Sequence, residues 1–429
     1  MRAAFWLLTL FAIAAASALF AGNNQAVVTV FWPPHRVDVS LNLALFLLAG
    51  LFTLIYLALR ALFAVTTLPG QARAWRAQQK ERAMYGALMD ALAHQLAGRY
   101  IRATRSAQNA IVQEQSLSRL AQSTGQVPGY SVGRASQLQS LAHLLVAESA
   151  QSLQNLALRD AHLQLALQSS ESRHAQEVRE GVQLRAARWA LDDKDASRAL
   201  DALAQLPQGA GRRTLALRMK LRATRQLRQT REALDTARLL AKHRAFSPAA
   251  AQSIVRGLGL ELLSDAHDPA QLQQAWNALD ANERAMPELV VHAAARLMAL
   301  HGDAALARSW LLSVWEQAMQ SRSTLSDSLR IKLIGALEPG LDSLDAPWLA
   351  RIEEAQAARP TDTNVQYLAG MAALRCQLWG KARQWLSLSV LGLQDSGLHR
   401  HAWRALAVLA EQRGDGPAAA EAYKQAALL

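Results

Sequence analysis

The chain has 429 residues, 51% of them hydrophobic, and 46 Lys and Arg against 34 Asp and Glu give a formal net charge of +12 at pH 7. Its single cysteine excludes disulfides within the chain and any Cys-x-x-Cys metal site. Good helix formers, chiefly Ala, Leu, Gln and Arg, dominate after residue 60, where no strand-like alternation occurs. We therefore expect an all-α protein.

Two uncharged apolar segments open the chain, Ala3–Gly22 and Val39–Leu59. Each is long enough to cross about 30 Å of hydrocarbon as a helix, and the segment between them is too short to hold a domain. Residues 1–63 are therefore predicted to be two transmembrane helices joined by a short periplasmic loop. A cleaved signal peptide is the alternative for the first segment, because Ala16-Ser17-Ala18 resembles a cleavage site.

The loop between the two segments alternates large apolar residues, such as Val28, Val30 and Trp32, with other side chains before Pro33-Pro34. This pattern is typical of a small pair of extended strands or of a compact turn. We expect the compact turn.

Basic residues follow the second segment and predict the orientation. They are Arg60, Arg73, Arg76, Lys80 and Arg82, against the single acid Glu81, whereas the loop carries only Arg36 and Asp38. Because Lys and Arg near a spanning helix stay cytoplasmic, both ends of the chain are predicted to lie in the cytoplasm. Residues 64–85 are predicted to form a basic juxtamembrane helix.

Residues 86–429 carry the spacing of tetratricopeptide repeats (TPRs), 34-residue helix-turn-helix units in which small residues let paired helices approach closely. The best matches are Trp403, Leu406, Ala407, Ala410, Gly414, Ala419, Tyr423 and Ala426; then Gly370, Ala373, Ala382, Leu386 and Ser389; then Ala295, Met298, Gly302, Ala307, Leu311 and Val314. Weaker copies are Ala187, Ala190, Ala199 and Leu203; Leu221, Thr224, Ala233 and Ala237; and Ala91, Gly98, Ala103 and Ala107.

These repeats predict a TPR-like α-solenoid with a groove for a protein or peptide, and a plain helical bundle is the alternative. Gly302 and Gly414 occupy equivalent turns, where glycine can adopt the left-handed conformation. Residues 137–168 fit the repeat poorly, and residues 119–134 are predicted to be a loop or insertion.

Catalytic signatures are missing from the sequence. Gly257-Leu258-Gly259 lacks the third glycine and the preceding strand of a dinucleotide site, and no His-Glu-x-x-His occurs. We therefore assign no catalytic residue and no metal ligand, and we expect no enzyme activity. Cys376 lies on the first helix of a strong repeat, so it is predicted to pack in the core, with a thiolate haem ligand as the alternative.

The strongest charge feature is the run from Arg212 to Arg231, which contains no acid. Arg218, Arg222 and Arg225 follow the spacing i, i+4 and i+7, so they share one helical face. They are predicted to dock an acidic partner or lipid headgroups; a merely solvated surface is the alternative. Nucleic acid is disfavoured, because no base-stacking aromatic interleaves with the arginines.

The segment Leu378-Trp379-Gly380-Lys381-Ala382-Arg383, after Gly370, resembles the signature of the proteobacterial HemY family. The N-terminal layout is similar too: two spanning helices, Val37-Asp38-Val39-Ser40-Leu41, then Leu68-Pro69 and a basic helix with Trp75. The resemblance implies a bacterial inner-membrane protein with a cytoplasmic repeat domain linked to haem or porphyrin metabolism.

The resemblance does not imply the flavin-dependent protoporphyrinogen oxidase of the same name, because the dinucleotide motif is missing. It favours a membrane scaffold that docks haem-biosynthesis enzymes, with no cofactor of its own. Two alternatives stay open: a haem or porphyrin carrier that uses Arg218, Arg222 and Arg225 for the propionates, and a tethered regulator of envelope lipid assembly. An exposed aromatic or His beside those arginines would favour the carrier, and the run from Arg212 to Arg231 contains neither.

Overall fold

The computed structural model describes residues 2–22, 25–124, 132–320 and 325–429. The chain divides into two compact units, Met1–Arg179 and Glu180–Leu429. Of the loop or insertion predicted within residues 119–134, residues 125–131 lie outside the described residues. Residues 119–124 and 132–134 are helical, so the prediction of a loop is wrong at both of these ends, because the flanking helices continue further than the Gly- and Ser-rich composition indicated.

The first unit begins with helix α1 (Arg2–Gly22) and an antiparallel pair of strands, β1 (Val27–Trp32) and β2 (His35–Ser40). In their register Val27 pairs with Ser40 and Trp32 pairs with His35. The strand pair that the alternation allowed therefore forms, and the expectation of a mere compact turn is wrong. Cross-strand backbone pairing satisfies the polar groups of this short segment, which a turn alone would leave open.

Helix α2 (Leu41–Leu96) runs without interruption for 56 residues, or about 84 Å at the usual helical rise. Its hydroxyl cap is Ser40, which accepts from the Leu43 amide. The helix passes through both predicted boundaries, at residues 63 and 85. Its N-terminal part, Leu41–Ala64, has a mean hydropathy of 2.2 and is not buried at all, so it is long and apolar enough to cross a membrane.

The described side chains of α1 include a shorter apolar stretch, Leu8–Leu19. Only one helix thus meets the length and hydropathy of a span within the described residues, and the predicted pair of spans is supported in part. The C-terminal part of α2 changes character. Ala77, Met84 and Ala91 are buried there, so the helix that begins with the apolar segment Leu41–Ala64 packs into the first helical hairpin.

That hairpin pairs α2 with α3 (Tyr100–Thr124), and the next pairs α4 (Val132–Ser152) with α5 (Leu156–Ser169). The second unit contains α6 to α21. Their bounds are α6 Gln176–Asp192, α7 Ala196–Ala204, α8 Gln208–Gly211, α9 Thr214–Gln226, α10 Thr230–Lys242, α11 Pro248–Ser264, α12 Pro269–Asn277, α13 Ala281–Arg284, α14 Pro287–Ala299, α15 Ala304–Ala318, α16 Asp327–Leu337, α17 Ala346–Ala358, α18 Thr363–Arg375, α19 Trp379–Ser389, α20 Ser396–Glu411 and α21 Gly416–Leu428. Helix α6 begins four residues before the division between the units.

One turn geometry recurs between paired helices. A residue with positive φ stands two positions before the second helix begins, and the residues are Gly98, Gln154, Lys194, Arg228, Gln377 and Gly414. Seven positions earlier the first helix buries a residue, which is Ala91, Ala147, Ala187, Leu221, Gly370 or Ala407. Five positions later the second helix buries Ala103, Arg159, Ala199, Ala233, Ala382 or Ala419. These shared positions confirm the predicted TPR-like hairpins.

The α14–α15 hairpin departs from the predicted register. Its turn is one residue longer, and His301 rather than Gly302 adopts positive φ. The small residue inside the hairpin is accordingly Ala294, which is fully buried, whereas the predicted Ala295 is exposed. The added turn residue explains the shift, because it moves the whole first helix by one position relative to Ala307.

A large continuous core extends through the second unit from Leu217 to Leu409. Consecutive hairpins share it: α14 contacts α11, α18 contacts α16, and α20 contacts α19. Helix α9 also contacts α7, whose Ala199 and Leu203 belong to separate, smaller clusters. Each hairpin therefore covers the apolar face of its neighbour, as in a repeat array. This stacking fixes the helices that carry the charged faces described next.

Candidate functional site

The predicted anion site is the outer face of α9. The helix buries Ala216, Leu217 and Leu221 against its neighbours, and the hydrophilic side chains occupy the opposite stripe. Arg218, Arg222 and Arg225 are all exposed. We call this set, together with the residues that touch it, the α9 basic face.

Arg218 is oriented by the segment that joins α10 to α11. Its Nη2 donates to the carbonyl of Ala245 at 2.8 Å, and its Cζ lies 5.7 Å from the ring centroid of Phe246. The carbonyl and the ring hold the guanidinium from two sides, the second contact being a cation–π interaction. Arg218 is therefore positioned before any partner arrives.

Arg222 has an acidic neighbour that the sequence did not reveal. Its Nη1 lies 3.3 Å from Oδ1 of Asp192 at the end of α6, and both side chains are largely exposed. The run from Arg212 to Arg231 contains no acid, but the fold brings Asp192 from α6 to Arg222. An exposed pair of this kind contributes about 0–1 kcal/mol, so it orients Arg222 more than it stabilises the fold.

Arg225 makes no side-chain hydrogen bond or ion pair with any residue that the structure describes. Its guanidinium and the second edge of Arg222 remain open to an incoming anion. Planar guanidinium groups bind carboxylate and phosphate through paired, charge-assisted hydrogen bonds. The α9 basic face can therefore bind an anion, and Asp192 neutralises part of its positive charge.

A cavity of about 470 Å³ lies beside this face. Its lining is Arg218, Leu221, Arg222, Arg225, Gln226 and Phe246. Phe246 supplies the aromatic wall that the run from Arg212 to Arg231 lacks. It could not be identified as part of the site from sequence, because it lies on the segment between α10 and α11, 28 positions after Arg218.

The repeat signature divides between packing and exposure. Ala382 and Ala419 are buried between helices, and Gly414 adopts the left-handed turn conformation with φ of 75°. A Cβ on Gly370 would lie 2.7 Å from Cγ of Leu386, so glycine allows α18 and α19 to approach closely. Glycine is used here for contact between helices.

Trp379, Gly380 and Lys381 are all exposed at the start of α19. Lys381 forms an ion pair with Glu353 at 2.8 Å and stands 5.7 Å from the ring centroid of Trp385. A second cavity, of about 320 Å³, lies at Trp379 and Gly380.

Cys376 is exposed, so the prediction that it packs in the core is wrong. It forms the C-cap of α18, and Gln377 immediately after it turns into the left-handed region. The helix ends before position 376 can face inward, and Ala372 and Ala373 fill the core instead.

No group of three or more His, Cys, Asp or Glu side chains suited to a metal ion occurs among the described residues. Two histidines do come together in the first unit: Nδ1 of His143 on α4 lies 3.0 Å from Nδ1 of His162 on α5. Burial, with the charge of His162 as a second cause, lowers the pKa of His143 to about 4. This pair joins two helices as neutral rings.

Residues 27–124 match the profile of a family described as HemY protein N-terminus. The match covers the strand pair, α2 and α3, and it confirms the resemblance drawn from the N-terminal layout. It does not extend to the Trp379–Arg383 segment. No curated protein matches the chain.

Solved structures similar to this chain include the P58(IPK) TPR domain, at 13% identity and a TM-score of 0.22, with 77% of this chain and 99% of that chain covered. The Cut9–Hcn1 hetero-tetramer of APC/C gives 15% identity and a TM-score of 0.28, over 81% of this chain and 66% of that chain. The structure of Naa15/Naa10 bound to HypK-THB gives 12% identity and a TM-score of 0.25, over 82% of this chain and 61% of that chain. Because these scores are low, the fold assignment stands on the helix packing alone.

Proposed function

This chain carries the N-terminal domain of the HemY family, and from that premise we propose that it is a membrane-anchored scaffold that docks haem-biosynthesis enzymes at the bacterial inner membrane. The body would lie in the cytoplasm and would have no catalytic role. A scaffold works by effective concentration, because partners held at one surface meet far more often than free ones.

The observation that carries the proposal is the α9 basic face. Arg218 is held by Ala245 and Phe246, Arg222 is held by Asp192, and Arg225 is open. Arginines fixed in this way lose little side-chain entropy when an acidic surface binds them. The long apolar segment Leu41–Ala64 supports the anchoring, since α2 continues from it into the first hairpin.

The test is crosslinking and affinity capture of the full chain from membranes, with mass spectrometry of the partners. The variant replaces Arg218, Arg222 and Arg225 with Gln. A matched control replaces three exposed arginines without side-chain partners among the described residues, namely Arg231→Gln, Arg284→Gln and Arg404→Gln. We expect the first variant to lose the main haem-pathway partner and the control to keep it.

Salt gives an independent check on the same capture. Screening shortens from about 8 Å at physiological ionic strength to about 3 Å at 1 M salt, so recovery by the unaltered protein should fall with salt. Recovery that ignores both the salt and the α9 substitutions would exclude docking through this face. If the captured proteins include no haem-pathway enzyme, the assignment to haem biosynthesis is refuted, although the fold assignment is unaffected.

Phe246 favours a second candidate function, a carrier of haem or porphyrin. It places an apolar ring beside arginines that can bind propionates, which is the feature the sequence lacked. Titration of the purified full chain with haemin should then shift the Soret band, and Phe246→Ala should weaken binding. A spectrum identical to that of haemin in detergent alone would exclude the carrier.

A further inference from the structure

The slot at the start of α19 is a second surface feature, separate in sequence from the α9 basic face. Its cavity of about 320 Å³ is lined by Trp379, Gly380, Arg383, Leu409, Gln412 and Arg413. Helix α19 supplies the first three residues and α20 with its C-terminal turn supplies the others. We call it the Trp379 slot. Its volume is at the lower end of the roughly 300–1,000 Å³ typical of ligand sites, which suits one large side chain.

Gly380 keeps the slot open. A Cβ built on it would meet nothing within 4 Å, and its φ is not positive. Glycine in a helix costs about 0.5–1 kcal/mol relative to alanine, and neither packing nor backbone conformation demands it here. Gly370 in the same hairpin shows the contrast, because Leu386 occupies the space where its Cβ would lie.

The apolar wall of the slot is formed by Trp379 and Leu409. Trp379 is 43% exposed, and its indole makes no hydrogen bond with any described residue, so the ring and its N–H are both available. Leu409 is buried at the base. Tryptophan and arginine are the residue types most enriched among the energetic anchors of protein interfaces.

Two uncompensated positive charges flank this wall. Arg383 is exposed and makes no hydrogen bond or ion pair within the described part of the chain. Arg413 donates only its Nε, to the Leu409 carbonyl at 3.2 Å, which leaves the outer guanidinium nitrogens free. Lys381, one residue from the slot, is instead neutralised by Glu353. Of these three basic side chains, the two without an acidic partner, Arg383 and Arg413, are therefore the ones that line the slot.

We propose that the Trp379 slot docks a segment of a partner protein that presents one large apolar side chain flanked by carboxylates. The apolar side chain would fill the space above Gly380 against Trp379. The carboxylates would bind Arg383 and Arg413, and the indole N–H or Gln412 could donate to them. This inference rests on the proposed docking function and deepens it by naming the chemistry of one partner segment.

The experiment selects peptides from a randomised octapeptide display library on the full chain in lipid nanodiscs, and measures the affinity of the selected peptides by fluorescence anisotropy. The blocking variant is Gly380→Met, whose Cβ would meet no neighbour within 4 Å and whose longer side chain is meant to fill the slot. Its matched control is Gly257→Met, at an exposed glycine of α11 with equally open space. Arg383→Gln with Arg413→Gln removes the charges.

We expect selected peptides to carry an aromatic or large aliphatic residue with at least two acids. Gly380→Met and the double arginine variant should each weaken their binding at least ten-fold, and Gly257→Met should leave it within about two-fold. Melting curves of all variants should match, which excludes unfolding as the cause. Peptides that lack acids, an empty selection, or peptides indifferent to Gly380→Met would overturn the proposal.

The α9 variant separates this inference from the proposed function. Replacing Arg218, Arg222 and Arg225 with Gln should leave the selected peptides bound, because none of these residues lines the slot. If the enzymes are still captured but no peptide depends on Gly380, only the inference fails. Self-association of the chain that Gly380→Met abolishes, without any selected peptide, would assign the slot to a second copy and refute a different partner.

Discussion

At the scale of single residues, glycine has two opposite roles in one hairpin. Gly370 is required by close contact with Leu386, whereas Gly380 faces open space. We expect Gly370→Ala to destabilise the protein by about 1–3 kcal/mol through overpacking. Gly380→Ala should be neutral or stabilising by a few tenths of a kcal/mol, because it only improves helix propensity. Thermal unfolding of the two variants beside the unaltered chain measures both effects.

The buried alanine Ala382 provides a second test of the contact between α18 and α19. It lies one turn before Leu386 in α19 and has no exposed surface. Ala382→Leu should destabilise the protein by an amount similar to Gly370→Ala, since both press α18 and α19 apart. Equal melting temperatures for Gly370→Ala and Gly380→Ala would contradict the described packing of α18 on α19.

The His143–His162 contact predicts a dependence of stability on pH. The pKa of His143 is about 4 in the folded protein, against an ordinary value of 6.5, because burial disfavours the charged ring. The unfolded chain therefore binds a proton more readily between these values. Stability from this site should be complete above about pH 6.5 and should be lost as the pH falls towards 4, by a few kcal/mol at most.

Hydrogen-exchange protection factors of α4 and α5, corrected for the intrinsic exchange rate at each pH, measure this loss locally when determined at about pH 7 and about pH 5. His143→Gln should reduce the difference between the two pH values, because the replacement does not titrate. His267→Gln, at an exposed histidine of the second unit, is the matched control and should leave exchange in α4 and α5 unchanged. Protection factors in these helices that are the same at both pH values would refute the assignment.

At the scale of elements, the sequence predicted the repeats where small residues marked them. The small residues Ala103, Ala199, Ala382 and Ala419 stand at one equivalent buried position. Arg159 occupies that position in the α4–α5 hairpin, where its Nη1 donates to Gln151 at 2.6 Å and its Nε to Asp160 at 2.9 Å. A search for alanine spacing misses this hairpin, because a buried, hydrogen-bonded arginine fills the space by other means.

Of the candidate site, only the residues that lie on α9 itself could be predicted from the sequence. The spacing of Arg218, Arg222 and Arg225 is sufficient to place them on one face. Asp192 comes from the end of α6 and Phe246 from the segment between α10 and α11, and local spacing does not specify which side chains of these segments reach α9. The same limit explains Cys376, since its exposure depends on where α18 ends rather than on its place in the repeat.

The ion pair between Asp192 of α6 and Arg222 of α9 leads to a further prediction. Asp192 neutralises part of the α9 basic face through Arg222, and the pair is too exposed to matter much for folding. Asp192→Asn should therefore increase recovery of an acidic partner, in the opposite direction to the substitution of the three arginines. Asp201→Asn, at an exposed acid of α7, is the control. A decrease in recovery would mean that Asp192 itself contacts the partner.

At the scale of the whole molecule, α2 links the apolar segment Leu41–Ala64 directly to the first hairpin. The apolar part Leu41–Ala64 and the buried part beginning near Ala77 belong to one continuous helix. Arg76 precedes Ala77, and Lys80 and Arg82 lie between the buried residues Ala77 and Met84 on the same helix. The charges from which the orientation is predicted thus lie on the same helix that continues into the first hairpin, so one topology measurement tests both the orientation of this helix and the side on which the first hairpin lies.

We predict that the strand loop lies outside the cytoplasm and the C-terminus inside it. A topology reporter fused at Gln25 should report the outside, and one fused at Leu429 should report the inside, because basic residues follow the apolar segment of α2. Changing Arg60, Arg76, Lys80 and Arg82 together to Gln should produce mixed orientations. An epitope added before residue 1 must stay on the mature protein if α1 is an anchor, whereas cleavage of a signal peptide would remove it. An outside signal at Leu429 would contradict the orientation and, with it, docking of cytoplasmic enzymes.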